Sequence, residues 1–443
     1  MAVDNNTDNP FYVKVKEDLD SVGNGMCLAK WTQVTLQLQS GHNHSCHHPA
    51  THKISEAEIA RNPSALHNTR FKKLKRKEML SGARPSGCDY CWNVEDNSDR
   101  FSDRIFKSAE SWSLPFKEEI FNSDWRADYN PKYVEVAFSN ACNFKCSYCG
   151  PAYSSKWVEE IEKYGGYPTL DNFNDVSWIG AENKMPIPHK DYNPYVDAFW
   201  KWWPDLYRDL HTFRITGGEP LMSKDTWKVL DYIIDEPNPN KNLDFSINSN
   251  LGVPDELVDK LILKLDQIIK EERVKEVIIF TSCDAYGAQA EYSRYGMEFD
   301  RVFNNIDKIL TKLEKVTVVI MSTFNVFSVY SYEKLIKKVY SYKVKHFNTV
   351  RYWNSPLILD TSFLRFPDFL SFRILKDYLD VEYFERWEKY MKFNSTFRSL
   401  NFHKTQDIDD VGFSTKEIEK ITRIKEMFVT DAESPERTFE RCK

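Results

Sequence analysis

The chain has 443 residues, room for two or three domains at about 150 residues each, and its 41% hydrophobic and 28% charged residues exclude global disorder. Sixty Lys and Arg against 66 Asp and Glu leave a net charge of −6, which argues against a general polyanion binder, while 15 Gly beside 12 Trp, 23 Tyr and 29 Phe exclude collagen-like and low-complexity classes. No apolar run reaches membrane-span length and the opening MAVDNNTDNP is polar and acidic, so the expectation is a soluble cytoplasmic protein with neither a span nor a signal or transit peptide.

Residues 1–130 carry four cysteines, Cys27, Cys46, Cys88 and Cys91. In a chain without a secretory signal such a set reads as metal ligands rather than disulfides. Segment 31–38 alternates like a strand, and Gly41 turns it into a hairpin that returns toward Cys46. Two cysteines on a hairpin and a distant C-x₂-C (SGCDYCW) bring four thiolates round one site. Four thiolates suit either zinc or a fully ligated iron–sulfur cluster, and the spacing leaves both open. His42, His44, His47, His48 and His52 crowd round Cys46; they read as metal-binding or as solvent-exposed loop residues, and one of them can replace a cysteine as ligand. The basic run KKLKRK at 72–77 reads as a solvated helix face; with the negative net charge, nucleic-acid binding is not expected.

From 131 onward short β-rich runs alternate with helical patterns: YVEVAFSN (133–140), FRITGG (213–218), LDFSIN (243–248), EVIIFTS (276–282), VTVVIMS (316–322) and HFNTVRY (346–352) as strands, with TWKVLDYIID (226–235) and DELVDKLILKLDQII (255–269) among the helices. Six strand–helix units with crossover connections imply parallel strands, hence an α/β fold of partial-barrel or doubly wound type. The Gly-, Asn-, Asp- and Pro-rich stretch 164–193 is an insertion, a lid or a surface excursion. Just after the first strand, SNACNFKCSYCG sets Cys142, Cys146 and Cys149 in a C-x₃-C-x₂-C array. Three thiolates in eight residues wrap an iron–sulfur cluster and leave one iron of a cubane without a protein ligand. An open coordination position marks a catalytic centre, and the end of a barrel strand is where such folds keep their chemistry. A structural zinc would need a fourth ligand, and the neighbouring sequence supplies none.

CNFKCSYCG resembles the signature of the radical S-adenosylmethionine (SAM) enzymes, and ITGGEPL (215–221), following the second strand, resembles that family's GGE motif. The resemblance implies a partial (β/α)6 barrel over residues 131–355 that binds a 4Fe–4S cluster and SAM. It also implies reductive cleavage of the cofactor, with the resulting 5′-deoxyadenosyl radical taking a hydrogen atom from a substrate. Gly217, Gly218 and Glu219 would receive the methionine ammonium group, glycines allowing close backbone approach and the carboxylate balancing a cation. Tyr148 fills the aromatic slot whose backbone contacts adenine. Ser249 and Asn250 resemble the ribose-contacting pair, Ser282 with Arg294 the pair on the cofactor's carboxylate, and Asn325 a further cofactor contact. Residues 1–130 look like a twitch or SPASM-type module with a second, auxiliary 4Fe–4S cluster on Cys27, Cys46, Cys88 and Cys91, here placed before the barrel instead of after it. The partners so implied are a one-electron reductant such as a flavodoxin or ferredoxin and a substrate that is a peptide or protein side chain. A small metabolite, sugar or nucleotide is the alternative substrate, and a non-enzymatic zinc-binding interaction module the alternative function. Cys283 reads as a small buried hydrophobe, and Cys442 has no visible role.

Residues 356–443 read as a helical extension. STKE at 414–417 is a capping box opening a helix whose Ile418, Ile421, Ile424 and Phe428 form an apolar stripe.

Overall fold

The computed structural model describes residues 9–167, 172–188, 190–347, 355–395 and 411–430. Eleven strands form there: β1 (Gln33–Gln37), β2 (His42–His44), β3 (His52–Lys53), β4 (Tyr133–Ala137), β5 (Lys145–Cys146), β6 (Thr212–Thr216), β7 (Asp244–Asn248), β8 (Glu276–Ser282), β9 (Arg294–Tyr295), β10 (Thr317–Phe324) and β11 (Leu357–Phe363). Nine of them make one sheet in the order β11-β10-β8-β7-β6-β4-β1-β2-β3, and β5 pairs with β9 in a separate ribbon. The six strands β4, β6, β7, β8, β10 and β11 are parallel, joined by helices such as Lys224–Asp235, Asp255–Lys270 and Phe299–Lys312. This is the α/β architecture of six strand–helix units expected from the pattern.

Alternation along the strands sorts the two faces. Phe213, Ile215, Phe245, Ile247 and Ile279 are buried, and the Phe213 ring lies 4.7 Å from Trp203 in helix Pro194–Asp209. Each such fully buried large side chain contributes on the order of 1.5–3 kcal/mol. The neighbours of Phe213, Ile215, Phe245 and Ile247 in β6 and β7 point the other way and are polar, whereas β8 puts Ile278 and Phe280 on that face. Arg214 donates from Nε to Asn248 Oδ1 at 2.8 Å and from Nη2 to Met321 Sδ at 3.2 Å, with its guanidinium 4.1 Å from the Phe280 ring centroid. Fully covered parallel strands usually read as continuous apolar runs; here the second face is the polar interior of an open barrel.

Three features depart from the sequence reading. The sixth strand is Leu357–Phe363, not 346–352: helix Tyr332–Lys345 runs up to His346, and 348–352 lie outside the described residues. LILDTSF alternates and buries Leu357 and Leu359, so it satisfies the edge of β10 where the earlier run was expected to do so. The stretch from 360 onward therefore begins as strand, passes through the short 3-10 turns Asp368–Leu370 and Phe372–Leu375, and among the described residues is α-helical at Glu382–Phe393 and Thr415–Thr430. The second departure concerns β1, which hydrogen-bonds in parallel along β4, with Gln33 opposite Tyr133 and Gln37 opposite Ala137. The N-terminal region thus adds a seventh parallel strand to the barrel sheet. The expected hairpin is present, β1 pairing antiparallel with β2 across Gly41, whose φ of 65° is in the region that glycine tolerates.

The basic run at 72–77 is not a wholly solvated face. In helix Arg70–Leu80, Lys72 and Arg76 are buried, Lys72 Nζ donating to Gln33 O at 3.1 Å and Arg76 Nη1 to Asn68 Oδ1 at 2.9 Å. The i, i+4 pair lies beside the start of β1, Lys72 donating to a backbone carbonyl of the strand and Arg76 Nε to Lys30 O at 3.3 Å just before it. No described helix is long and apolar enough to cross a membrane.

Candidate active site

The cysteine loop leaves β4 and is fixed by the start of helix Ser155–Tyr164. Ser155 N donates to Asn140 O at 2.8 Å, Ser154 Oγ to Phe144 O at 2.7 Å and Trp157 Nε1 to Cys146 O at 3.0 Å, while Cys142 N donates to Ser155 Oγ at 3.2 Å. Cys146 lies in β5, directly opposite Arg294 of β9. Burial pushes the Cys142 thiol up to about 12 and raises Cys146 and Cys149; Cys142 and Cys146 oppose ionisation of Cys149. Three mutually repelling sulfurs, one buried and two half-buried, are costly as thiolates until a metal neutralises them. The donor set is soft, local and one ligand short of closure, which fits a cluster with one open iron.

The GGE loop packs onto this one through its backbone. Gly218 N donates to Ser139 O at 3.1 Å and Glu219 N to Ala141 O at 2.7 Å. Gly217 has φ 126°, and a Cβ on Gly218 would fall 2.4 Å from Ala141 O, so only glycine allows this approach. The Glu219 carboxylate is buried; Oε1 accepts from Ser249 Oγ at 2.8 Å and Leu221 N at 3.0 Å, and Oε2 from Asn250 N at 2.7 Å. Burial lifts its pKa to about 7 against those three hydrogen bonds. Asn250 Nδ2 donates in turn to Asn143 Oδ1 at 2.8 Å. Ser249 and Asn250 therefore tie the end of β7 to both the GGE loop and the cysteine loop.

On the opposite flank, Arg294 is buried and not a surface residue. Its Nε donates to Asp284 Oδ2 at 2.8 Å, Nη2 to Asp284 Oδ1 at 3.0 Å and to the Tyr148 hydroxyl, and Nη1 to Cys146 Sγ at 3.4 Å. Tyr148 donates to Asp284 Oδ2 at 2.8 Å and Thr323 N to Asp284 Oδ1 at 2.8 Å. Ser282 ends β8 half-buried, opposite Met321. Asn325 is fully buried, its Oδ1 accepting from Phe327 N at 2.9 Å and its Nδ2 donating to Thr323 O at 2.8 Å, so its side chain shapes the turn after β10. Cys283 is buried and donates to Ala285 O at 3.1 Å.

The strand-end geometry has a counterpart in the comparisons: residues 136–326 match the family model described as Radical SAM superfamily. The chain carries a radical SAM domain. Among curated proteins there is no match. Similar solved structures include native anSMEcpe with bound AdoMet, at 15% identity and a TM-score of 0.33, covering 63% of this chain and 62% of that one. Streptococcus suis SuiB bound to S-adenosylmethionine is 13% identical with a TM-score of 0.38, covering 82% of this chain and 67% of that one. SuiB bound to precursor peptide SuiA is 14% identical, with a TM-score of 0.37 and coverages of 82% and 66%. The chain thus spans a little over three-fifths of the length of anSMEcpe.

Insertion 164–193 touches the mouth of the radical SAM domain. The carbonyl of Phe173 sits where a Cβ on Gly150 would be, at 2.3 Å, and the Phe173 ring lies 6.1 Å from Phe366 and 6.2 Å from Phe369 beyond β11. Ile187 N donates to Gln39 O at 2.7 Å. The excursion packs across from the cysteine loop to the last strand.

Cys27, Cys46, Cys88 and Cys91 converge on one cavity lined also by Lys30, His48, Asp103 and Arg104. Burial raises Cys27 and Cys91 to about 12; Cys46 and Cys88 oppose ionisation of Cys27, and Cys27 and Cys46 that of Cys91. Lys30 Nζ donates to Cys88 Sγ at 3.8 Å. Cys27 precedes β1 and Cys46 follows the antiparallel β2, so both leave the sheet where its parallel strands begin. The triad follows the end where they finish. The histidines divide. His42 hydrogen-bonds Ser40 O at 2.9 Å and His52 bonds Thr69 Oγ1 at 2.9 Å, whereas His48 stacks on Tyr90 with centroids 3.7 Å apart and bonds Asp103 Oδ2 at 2.7 Å.

Asp284, Asn143, Lys30 and Asp103 are the site residues that sequence reasoning missed. A buried arginine demands an acid, and Asp284, two residues past Ser282 at a strand end, was the one signal available.

Proposed function

We propose that the chain is a radical SAM enzyme with two iron–sulfur sites, acting on a peptide or protein side chain. The carrying observation is the convergence of Cys142, Cys146 and Cys149 at the end of β4, with the Gly217–Gly218 backbone locked against their loop. When bound, a 4Fe–4S cluster supplies one electron to SAM, and the cleaved cofactor supplies the hydrogen-abstracting group. The chain's residues hold, orient and shield that chemistry. The three thiolates ligate the cluster. Gly217 and Gly218 present backbone to the cofactor's amino group, and Glu219 holds the β7 end bearing Ser249 and Asn250.

Residues 1–130 act as an auxiliary-cluster module and the core runs from 131 through β11, which ends at Phe363, with the extension after it. Four thiols in one cavity support the second cluster. Among the described residues, His47, His48 and Asp103 bring three further metal-ligating atoms within 4.8 Å of one another, and His48 and Asp103 line the same cavity. With four protein ligands the second cluster serves electron relay or support, drawing on a flavodoxin- or ferredoxin-type reductant. The peptide substrate follows from the resemblance of this module to twitch and SPASM types.

A Cys88→Ala/Cys91→Ala variant tests the division. It should lose about half the iron yet still form 5′-deoxyadenosine under a strong chemical reductant, because its cysteines lie at the other end of the sheet from the triad. Full iron content and full activity in the folded variant would remove the N-terminal thiols from the ligand set.

A further inference from the structure

The radical SAM reading makes Cys146 a cluster ligand, and on that reading rests a role for the charged residues beside it. Backbone pairing of β5 with β9 sets Arg294 opposite Cys146, and Ser147 N donates to Ser293 O at 2.8 Å to hold the ribbon. Asp284, fully buried, takes the Nε and Nη2 side of the guanidinium with both oxygens, and Thr323 N and the Tyr148 hydroxyl fix that carboxylate. The remaining terminal nitrogen, Nη1, points at Cys146 Sγ from 3.4 Å. A planar guanidinium gripped on one edge presents its other edge in a fixed direction.

We propose that Arg294 is a positioning residue for the catalytic cluster, aimed by Asp284 to hydrogen-bond the Cys146 thiolate and raise the cluster's reduction potential. Reduction adds one electron, from an external reductant, and so one negative charge spread over iron and sulfur. A cationic donor on a ligand sulfur stabilises the reduced form more than the oxidised one. The site lies in a buried setting where that difference is weakly screened. The arrangement also leaves Arg294 committed to Asp284 and Cys146 within the structure, so its task differs from holding the cofactor's carboxylate.

The test is an EPR-monitored redox titration of the reconstituted full chain, following the reduced signal that changes when SAM is added. Arg294→Gln should shift that signal to a lower midpoint potential with SAM affinity little altered, and Arg294→Lys, which keeps the charge but not the fork, should recover part of the shift. An unchanged potential in a variant holding full iron overturns the inference. So does weakened SAM affinity at unchanged potential, which would assign Arg294 to the cofactor. If Arg294→Gln takes up no iron, Arg294→Lys is measured against the parent by the same criterion; loss of iron in both makes the pair structural and also overturns it. Absence of any SAM-responsive signal in the parent would instead count against the radical SAM reading itself.

Discussion

Glu219 shows how much a single side chain is asked to do. Its carboxyl sits in the interior with three donors on it, yet burial still lifts its pKa from 4.5 to about 7. For a raised acid the contribution to stability is fully present below the unfolded value near 4.5 and is lost as pH rises through about 7. The displacement corresponds to a cost on the order of 3 kcal/mol above that window. Glu219→Gln keeps an acceptor and removes the ionisation. Thermal denaturation of the cofactor-free protein from pH 5 to 8 should therefore show the parent losing stability relative to the variant by up to that amount; a pH-independent difference would contradict the assignment. At this scale the cysteine triad and GGE were legible because their chemistry is local in sequence. Asp284 was not, because its meaning depends on Arg294, Thr323 and Tyr148 arriving from three other segments.

Among the elements, the last described helix, Thr415–Thr430, was the most readable. Its capping box forms, Ser414 N donating to Glu417 Oε2 at 2.8 Å, and Ile418, Ile421, Ile424 and Phe428 are buried. The sequence did not reveal that Glu417 also serves the barrel. Its Oε1 accepts from Leu359 N of β11 at 2.8 Å and lies 3.0 Å from Lys343 Nζ, in a pair only 1% and 4% exposed. Glu417→Ala would strand a buried ammonium and a strand N–H together. The expected loss is about 3–5 kcal/mol in urea unfolding at neutral pH; a change under about 1 kcal/mol would show that the pair is solvated. The misplaced sixth strand has a related cause. HFNTVRY and LILDTSF are both β-rich, and only the edge of β10 decides between them. Lys72 and Arg76 were likewise read as solvated because charge alone does not disclose the acceptors, Gln33 O and Asn68 Oδ1, that the fold brings to them.

For the whole molecule, the N-terminal cysteines and the barrel triad sit toward opposite ends of one sheet that both regions build. The clustering of four thiols was readable from a hairpin and a C-x₂-C, whereas the parallel pairing of β1 with β4 has no local signal. Two cluster sites on a shared scaffold are the central claim, and metal analysis with cofactor cleavage tests it most directly. Anaerobically reconstituted parent should hold about eight irons per chain and convert SAM to 5′-deoxyadenosine under reduction. Replacing Cys142, Cys146 and Cys149 together by Ala should leave about four irons, held by the N-terminal thiols, and no cleavage. Cleavage that persists in the triple variant, or zinc in place of iron in the parent, would contradict it.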